Sequence, residues 1–196
     1  MRHSINILSS LFFLLSFVGL SAQEPVFFTI DTARSIVTWS CDLHRGYFKL
    51  DNGSLKMKKE KLVGGSFDIC MESITDVDID YELMRVTLQN TLKSKDFLYT
   101  AKYHYSTFAI DDVRYEHDSA YITGDLTFLG ITNCIHFSCG ITFKNDSIKA
   151  MTEEIIIDRS DYGNSTMSKG NAKSDKSFIV PNEVTISVSL AGFKSP

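Results

Sequence analysis

Proline is scarce in this 196-residue chain, which holds only Pro25, Pro181 and Pro196. Proline is confined to the edges and ends of sheets, so its absence between residues 26 and 180 permits long uninterrupted strands. A basic excess is also missing, because 20 Lys and Arg residues face 24 Asp and Glu residues, for a net charge of −4. That balance argues against a nucleic-acid-binding surface.

Motifs for covalent and cofactor chemistry are missing as well. Gly64, Gly65 and Ser66 begin like the nucleophile turn of hydrolases, but the closing glycine is absent. The chain has no P-loop and no dinucleotide-binding glycine pattern. An enzyme would need a polar cluster built from distant residues, such as Arg159 with His136 and a carboxylate. We therefore predict a protein that is not an enzyme and has no cofactor.

Metal-ligand spacing is not apparent either. The histidines that follow the first segment are isolated from one another: His44, His104, His117 and His136. Asp76, Asp78 and Asp80 resemble the start of an EF-hand loop, but Tyr81 and Thr87 stand where the loop needs Gly and Glu. We interpret this stretch as a solvated turn that caps a helix, and we predict no metal site.

The four cysteines do not form a C-x-x-C pair: Cys41, Cys70, Cys134 and Cys139. An exported protein can form disulfides, and four cysteines allow three pairings. Buried free thiols are an equally good interpretation. The residues leave both alternatives open.

Residues 1–22 have the layout of a secretory signal peptide. Arg2 supplies a positive start, an uncharged apolar run of sixteen residues extends from Ile5 to Leu20, and Ser21 and Ala22 are small. The run is shorter than the roughly 20 residues that span a membrane. We predict cleavage and export to the periplasm or the medium, with one domain over residues 23–196 and no integral membrane segment left.

Period-2 alternation dominates the rest of the chain and predicts half-buried strands. The clearest segments are Val37–Leu43, Leu55–Met57, Phe67–Met71, Ile122–Phe128, Ile135–Phe143 and Val184–Leu190. The charged run Lys56–Lys61 predicts a solvated hairpin turn. About eight antiparallel strands in one domain indicate an all-β closed barrel or a sandwich.

One segment breaks the alternation. Leu83, Val86, Leu88 and Leu92 recur at helical spacing and predict a short helix within residues 78–95. Asp78 or Asp80 is expected to cap its start. A strand over residues 101–110 is expected to follow.

Arg159 lies in a charged stretch that interrupts an apolar strand and ends at Gly163. One interpretation is a salt bridge that locks the end of the strand. The other is a polar anchor for a ligand at the mouth of a pocket.

Several stretches occur in the order typical of one family. Residues 28–39 resemble the opening "ID..HS.V.F", Leu92–Phe97 resembles "HLKS.DFF", and residues 124–132 resemble "G.LT..G.T". Asp158–Gly163 resembles a late "R..FG". Together they resemble the YceI-like family of exported bacterial proteins. Departures from the pattern are Arg34, Thr91, Leu98 and His104.

The resemblance implies a lipocalin-like antiparallel β-barrel of about eight strands with a short helical insertion. It also implies a polyisoprenoid, an isoprenoid quinone or a similar lipid as the ligand. The candidate lumen residues are Trp39, Phe67, Ile69, Phe97, Phe108, Leu126, Phe128, Phe137, Ile141 and Phe143, with Arg159 as the candidate polar anchor. A chain of ~20 methylene-sized groups would contribute ~16 kcal/mol at ~0.8 kcal/mol each, against association costs of ~4–15 kcal/mol.

The same apolar faces would also build a filled barrel, because barrels of this size can be packed solid with side chains. The alternative function is then a non-catalytic envelope or stress-related interaction module. A homodimer is compatible with either function.

Overall fold

Antiparallel strands make up most of the structure, a computed structural model that describes residues 24–117, 119–168 and 179–196. The predicted signal peptide at residues 1–22 lies outside these described residues. One helix, α1 (Glu82–Lys93), and one 3-10 turn (Arg159–Tyr162) accompany the strands. The strands are β1 (Val26–Ile30), β2 (Ile36–Ser40), β3 (Arg45–Lys58), β4 (Lys61–Asp76), β5 (Tyr105–Glu116), β6 (Ser119–Phe128), β7 (Ile131–Lys144), β8 (Ser147–Thr152), β9 (Ile155–Asp158) and β10 (Glu183–Lys194).

The strands close into a ring of eight positions, which confirms the predicted all-β barrel. β2 to β8 pair in sequence, and β10 closes the ring by pairing with both β2 and β8. β1 lies end to end with β2, because both pair with β3 on one side and β10 on the other. β9 follows β8 along the opposite edge of β10. Two of the eight strand positions in the barrel are therefore each occupied by two short strands that lie end to end.

Alternation along the strands explains which side chains enter the barrel. In β4, Phe67, Ile69 and Met71 are buried, and in β2, Val37 and Trp39 are buried. The predicted hairpin between β3 and β4 is confirmed by the register, which pairs Lys58 with Lys61. Side chains two residues apart on a strand share a face, so period 2 in the sequence becomes an apolar lumen.

One end of the barrel is filled by large side chains. Phe28, Leu55, Leu62 and Ile148 are each no more than 2% exposed. Phe28 meets Phe143 edge-on, with their ring centroids 5.5 Å apart. These residues belong to β1, β3, β4, β7 and β8, so side chains from both sides of the ring close this end of the barrel.

The helix differs from its predicted form at its start. It begins at Glu82, and Tyr81 at its N-cap makes no side-chain hydrogen bond to the helix. The prediction that Asp78 or Asp80 caps the helix is therefore wrong. None of the residues of α1 is fully buried. Within the described residues, no helix has the length and hydropathy needed to cross a membrane.

The segments beside the helix also differ from the predicted strands. The strand expected over residues 101–110 begins only at Tyr105, because residues 94–104 fold into turns. Tyr99, with φ of 43°, accepts hydrogen bonds at its carbonyl from the N–H groups of Lys102 and Tyr103. β2 ends at Ser40, so Leu43 is 44% exposed rather than facing the lumen.

The four cysteines are all free thiols. Cys139 is buried in the barrel wall, and burial raises the pKa of its thiol to about 11. Cys134 is exposed, whereas Cys41 and Cys70 are partly buried. The sequence left disulfides and free thiols open, and the structure has free thiols.

Candidate functional site

An apolar cavity occupies the end of the barrel opposite the filled end. Its volume is about 190 Å³, and its walls are the inward faces of the strands around that half. Leu92 of α1 and Leu98 of the following turns border it from above, while Val180 and Pro181 border it from the segment before β10. The cavity is thus covered by the connections that leave the barrel at this end.

Eight of the ten predicted lumen residues line this cavity: Trp39, Phe67, Ile69, Phe97, Phe108, Leu126, Phe128 and Phe137. Seven of them lie on strands, and Phe97 lies in the turns that follow α1. The structure places the other two elsewhere. Phe143 packs against Phe28 in the filled end, and Ile141 lies in the same half of β7, where it borders a separate depression. The alternation in the sequence predicts that Ile141 and Phe143 face the barrel interior, but it does not predict their positions along the barrel axis.

A row of three aromatic rings crosses the barrel at mid-height. The Phe108 centroid lies 5.5 Å from those of both Phe67 and Phe137. The barrel wall makes room for this row at Gly124, where an added Cβ would lie 2.6 Å from Cζ of Phe108. These rings separate the cavity from the filled end and present edges and faces suited to an alkyl or prenyl chain.

Arg159 is buried at the rim of the cavity, with 6% of its surface exposed. Its guanidinium donates to backbone carbonyls of Asn164, Thr166, Val180 and Pro181 at 2.7–3.3 Å. It also donates to Oδ1 of Asn164 at 2.7 Å and to Oγ of Ser168 at 3.2 Å. Burial lowers the pKa of Arg159, and the nearby charge of Asp158 opposes that shift.

These contacts change both interpretations of Arg159. Among the described residues the predicted salt bridge is not found, because the partners of the guanidinium there are carbonyl, amide and hydroxyl oxygens. Its five N–H groups have six acceptors, so none is left to hold a ligand. Arg159 instead joins the segment after β9 to the segment before β10 at the cavity rim.

Asn164 is a rim residue that the sequence reasoning missed. Its Nδ2 donates to the carbonyl of Phe97 at 2.7 Å, while its Oδ1 accepts from Arg159. The side chain therefore connects the turns after α1 with the arginine-centred rim. The signal in the sequence was Gly163, which directly precedes Asn164. In the structure Gly163 ends the 3-10 turn with φ of 78°.

Cys41, Ser106 and Trp39 supply the other polar groups of the described lining. Ser106 donates its hydroxyl to the carbonyl of Thr127 at 2.8 Å. The indole N–H of Trp39 is buried and has no hydrogen-bond partner. His136, considered above for a polar cluster with Arg159, is exposed on the outer face of β7, so that cluster does not form. The site can enclose an apolar chain, and its described lining also carries the buried indole N–H of Trp39 and the free thiol of Cys41.

Comparisons with known proteins agree with this architecture. BcnA of Burkholderia cenocepacia has the same fold, with a TM-score of 0.68 and 19% identity over 83% of this chain and 98% of that one. A polyisoprenoid-binding domain from Saccharophagus degradans, implicated in plant cell wall breakdown, gives a TM-score of 0.62 at 12% identity over 87% and 99%. The YCEI protein of Campylobacter jejuni gives 0.55 at 15% over 99% and 100%.

Curated proteins show no match to this chain. The model of the YceI-like domain matches residues 28–191, which is most of the sequence. That match confirms the resemblance drawn from the ordered motifs. The chain belongs to the YceI-like domain family.

Proposed function

We propose that this protein is an exported carrier that binds an apolar chain in the cavity of its barrel. The ligand is a polyisoprenoid, an isoprenoid quinone or a similar lipid. The observation that carries the proposal is the cavity itself, whose described lining is apolar except for hydrogen-bonded side chains, the thiol of Cys41 and the indole N–H of Trp39. The segment at residues 1–22 supports export to the periplasm or the medium.

The relatives support the ligand class only through the fold. The Saccharophagus degradans domain is described as polyisoprenoid-binding, but at 12% identity its likeness to this chain concerns architecture. The chemistry must therefore come from the cavity of this chain. Aromatic and aliphatic walls without free charges favour a hydrocarbon chain over a polar metabolite.

The volume limits how much of a lipid the cavity holds in this conformation. At 190 Å³ it is slightly larger than an engineered apolar cavity of about 150 Å³ that takes up benzene. Because benzene has six carbon atoms, a cavity of this size holds about six methylene-sized groups, which contribute about 5 kcal/mol, well below the estimate for a chain of about 20. That gain barely offsets association costs, so a longer chain requires the covering elements to move.

Helix α1 and the turns after it are the elements suited to move. The helix has no fully buried residue, so its burial contributes little to its docking. Its polar attachments to β4 are an ion pair between Lys93 and Glu72 at 2.9 Å and a hydrogen bond from the backbone N–H of Asp76 to Gln89 at 3.0 Å. Displacing α1 would extend the cavity past Leu92 without disturbing the barrel.

The indole N–H of Trp39 favours a ligand that carries a hydrogen-bond acceptor. A buried donor without a partner costs about 1–3 kcal/mol, which a ligand oxygen would recover. A lipid with a carbonyl or hydroxyl near its apolar chain, such as a quinone, therefore suits the cavity better than a pure hydrocarbon.

An interaction module is the second candidate, and one observation favours it. Val77, Tyr81, Leu83 and Met84 are 53–65% exposed at the start of α1 and just before it. Such a patch is typical of a contact surface for another molecule. A filled barrel was the other expected sign of this function, and the cavity contradicts it.

The test compares two neighbouring substitutions in β9. Ile157 lines the cavity, whereas the adjacent Ile156 is 66% exposed. Purified full-length protein, Ile157→Phe and Ile156→Phe are extracted with organic solvent and examined by native mass spectrometry. We expect lipid in the wild type and in Ile156→Phe, and less in Ile157→Phe because the larger ring fills the cavity. Wild-type protein that is reproducibly free of lipid and takes up no added quinone would overturn the proposal.

A further inference from the structure

Three potential metal ligands meet at the rim of the barrel beside the base of α1. Nδ1 of His44 lies 3.7 Å from Oδ2 of Asp76 and 3.4 Å from Oδ1 of Asp78. One ligand atom from each residue lies within 4.8 Å of the other two. We call this group the His44 cluster.

The strand register explains why residues so far apart in the sequence meet here. Gly46 of β3 pairs with Asp76 of β4, and the N–H of Val77 donates to the carbonyl of Arg45 at 3.1 Å. Continuing this antiparallel pairing by one residue places His44 opposite Asp78. Asp76 ends β4 and Asp78 follows in the bend after it, and the side chains of both come within 3.7 Å of Nδ1 of His44.

Asp76 supplies an independent sign of a ligand. Its side chain is 0% exposed. Oδ1 accepts a hydrogen bond from the N–H of Ile79 at 3.0 Å, whereas Oδ2 is buried, faces His44 and has no hydrogen-bond partner. Burial raises the pKa of Asp76, and the neighbouring carboxylate of Asp78 adds to the shift. A buried carboxylate oxygen without a partner is costly unless a proton or a cation accompanies it.

The distances suit a tetrahedral cation. Two ligand atoms about 2.1 Å from a zinc ion, at the tetrahedral angle, lie about 3.4 Å apart. The separations of 3.4 and 3.7 Å from Nδ1 of His44 are close to that value before any adjustment by the side chains. His44 and Asp78 are partly exposed, at 31% and 26%, so a cation and a water molecule can reach the cluster.

We propose that His44, Asp76 and Asp78 bind one divalent transition-metal cation of the zinc class, with water as the fourth ligand. One imidazole and two carboxylates are ligands that zinc accepts, and the position left for water is typical of sites that are not fully closed by protein. The proposal does not depend on the lipid-binding function, because none of these three side chains lines the cavity.

The cation would hold the connection that leads to α1. Asp78 lies between β4 and α1, where Nη1 of Arg85 donates to the carbonyl of Ile79 at 3.3 Å. His44 lies in the turn between β2 and β3, where the N–H of Cys41 donates to its carbonyl at 2.8 Å. Binding would therefore fasten the base of the helix to the barrel rim next to the cavity mouth.

Calorimetric titration with zinc chloride tests the proposal on full-length protein from which metals have been removed with a chelator. The variants are His44→Ala and Asp78→Asn, and the matched control is Asp80→Asn, an exposed carboxylate of the same loop outside the cluster. We expect one zinc per chain in the wild type and in the control, and affinity reduced about 10- to 100-fold or more in both variants. Cobalt chloride should give the visible absorption of a tetrahedral ion in the wild type and in Asp80→Asn, but not in His44→Ala or Asp78→Asn.

Other outcomes would overturn the assignment. Zinc binding that is equal in the wild type and in Asp78→Asn would mean that the cluster is not the site. Binding of calcium or magnesium in preference to zinc would contradict the class of cation. No binding of any of these ions, with a pH-dependent stability that changes in Asp78→Asn, would show that the two carboxylates share a proton instead. Thermal melting of each variant without metal shows that it is folded.

Discussion

Replacement of Arg159 by methionine removes all six hydrogen bonds of its guanidinium while keeping most of its apolar stem. Four acceptors are backbone carbonyls and two are side-chain oxygens, and the arginine is buried. A hydrogen bond to a charged group contributes about 1.5–3 kcal/mol, and water would replace part of the set. Losing the equivalent of two to three such bonds gives an expected destabilisation of about 4 kcal/mol.

That loss is large against the ~5–15 kcal/mol by which domains are stable. Urea denaturation followed by fluorescence measures it, and Arg114→Met is the matched control. Arg114 is 74% exposed and has an ion pair of 3.7 Å with Asp112, so its loss should cost less than about 1 kcal/mol. Arg159→Lys should recover only part of the stability, because an ammonium lacks the planar fork that reaches several carbonyls. A loss in Arg159→Met no larger than in Arg114→Met would refute the reasoning.

Three further predictions concern the lumen and the rim. Phe137→Asp should lower the melting temperature strongly, because it places a charge in the aromatic row, and an unchanged melt would contradict the inward direction of Phe137. Trp39→Phe should keep the fold but weaken quinone binding about fivefold or more relative to a hydrocarbon of equal length, as measured by fluorescence titration. The pKa of Asp76 is raised, so the folded state holds the proton of this carboxyl more tightly than the unfolded state does. The stability that Asp76 contributes therefore declines as the pH rises above the ordinary pKa of an aspartate. Metal-free Asp76→Asn should lack this decline in urea denaturation from about pH 4 to pH 7, and an identical profile would contradict it.

Strand pattern alone accounts for much of the barrel and its lining. Phe67 and Ile69 face the lumen because side chains alternate across a strand, a property that depends only on local sequence. Height along the barrel depends instead on the pairing of distant strands. For this reason the alternation predicts both Phe137 and Phe143 as lumen residues, although Phe143 lies in the filled end and Phe137 lines the cavity.

The rim was harder to predict for the same reason. The interruption of the strand drew attention to Arg159, but its acceptors lie in two later segments, near Asn164 and near Val180, that no spacing rule connects. The sequence gives no sign that His44 meets Asp76 and Asp78, because their meeting requires the register between β3 and β4. Cavity volume depends on all of these placements together.

The filled end has a consequence for how a cargo would be handled. Among the described residues, Phe28, Leu55 and Ile148 block one end of the barrel, so a chain in the cavity would have no path through that end. A chain would enter end first and leave by reversing the same path, so its orientation would be set at loading and kept until release. The part of the ligand outside the cavity would always be the same end of the molecule. A receiving membrane or protein could then bind a defined chemical group. Release would then be governed by the movement of α1 rather than by any passage through the barrel.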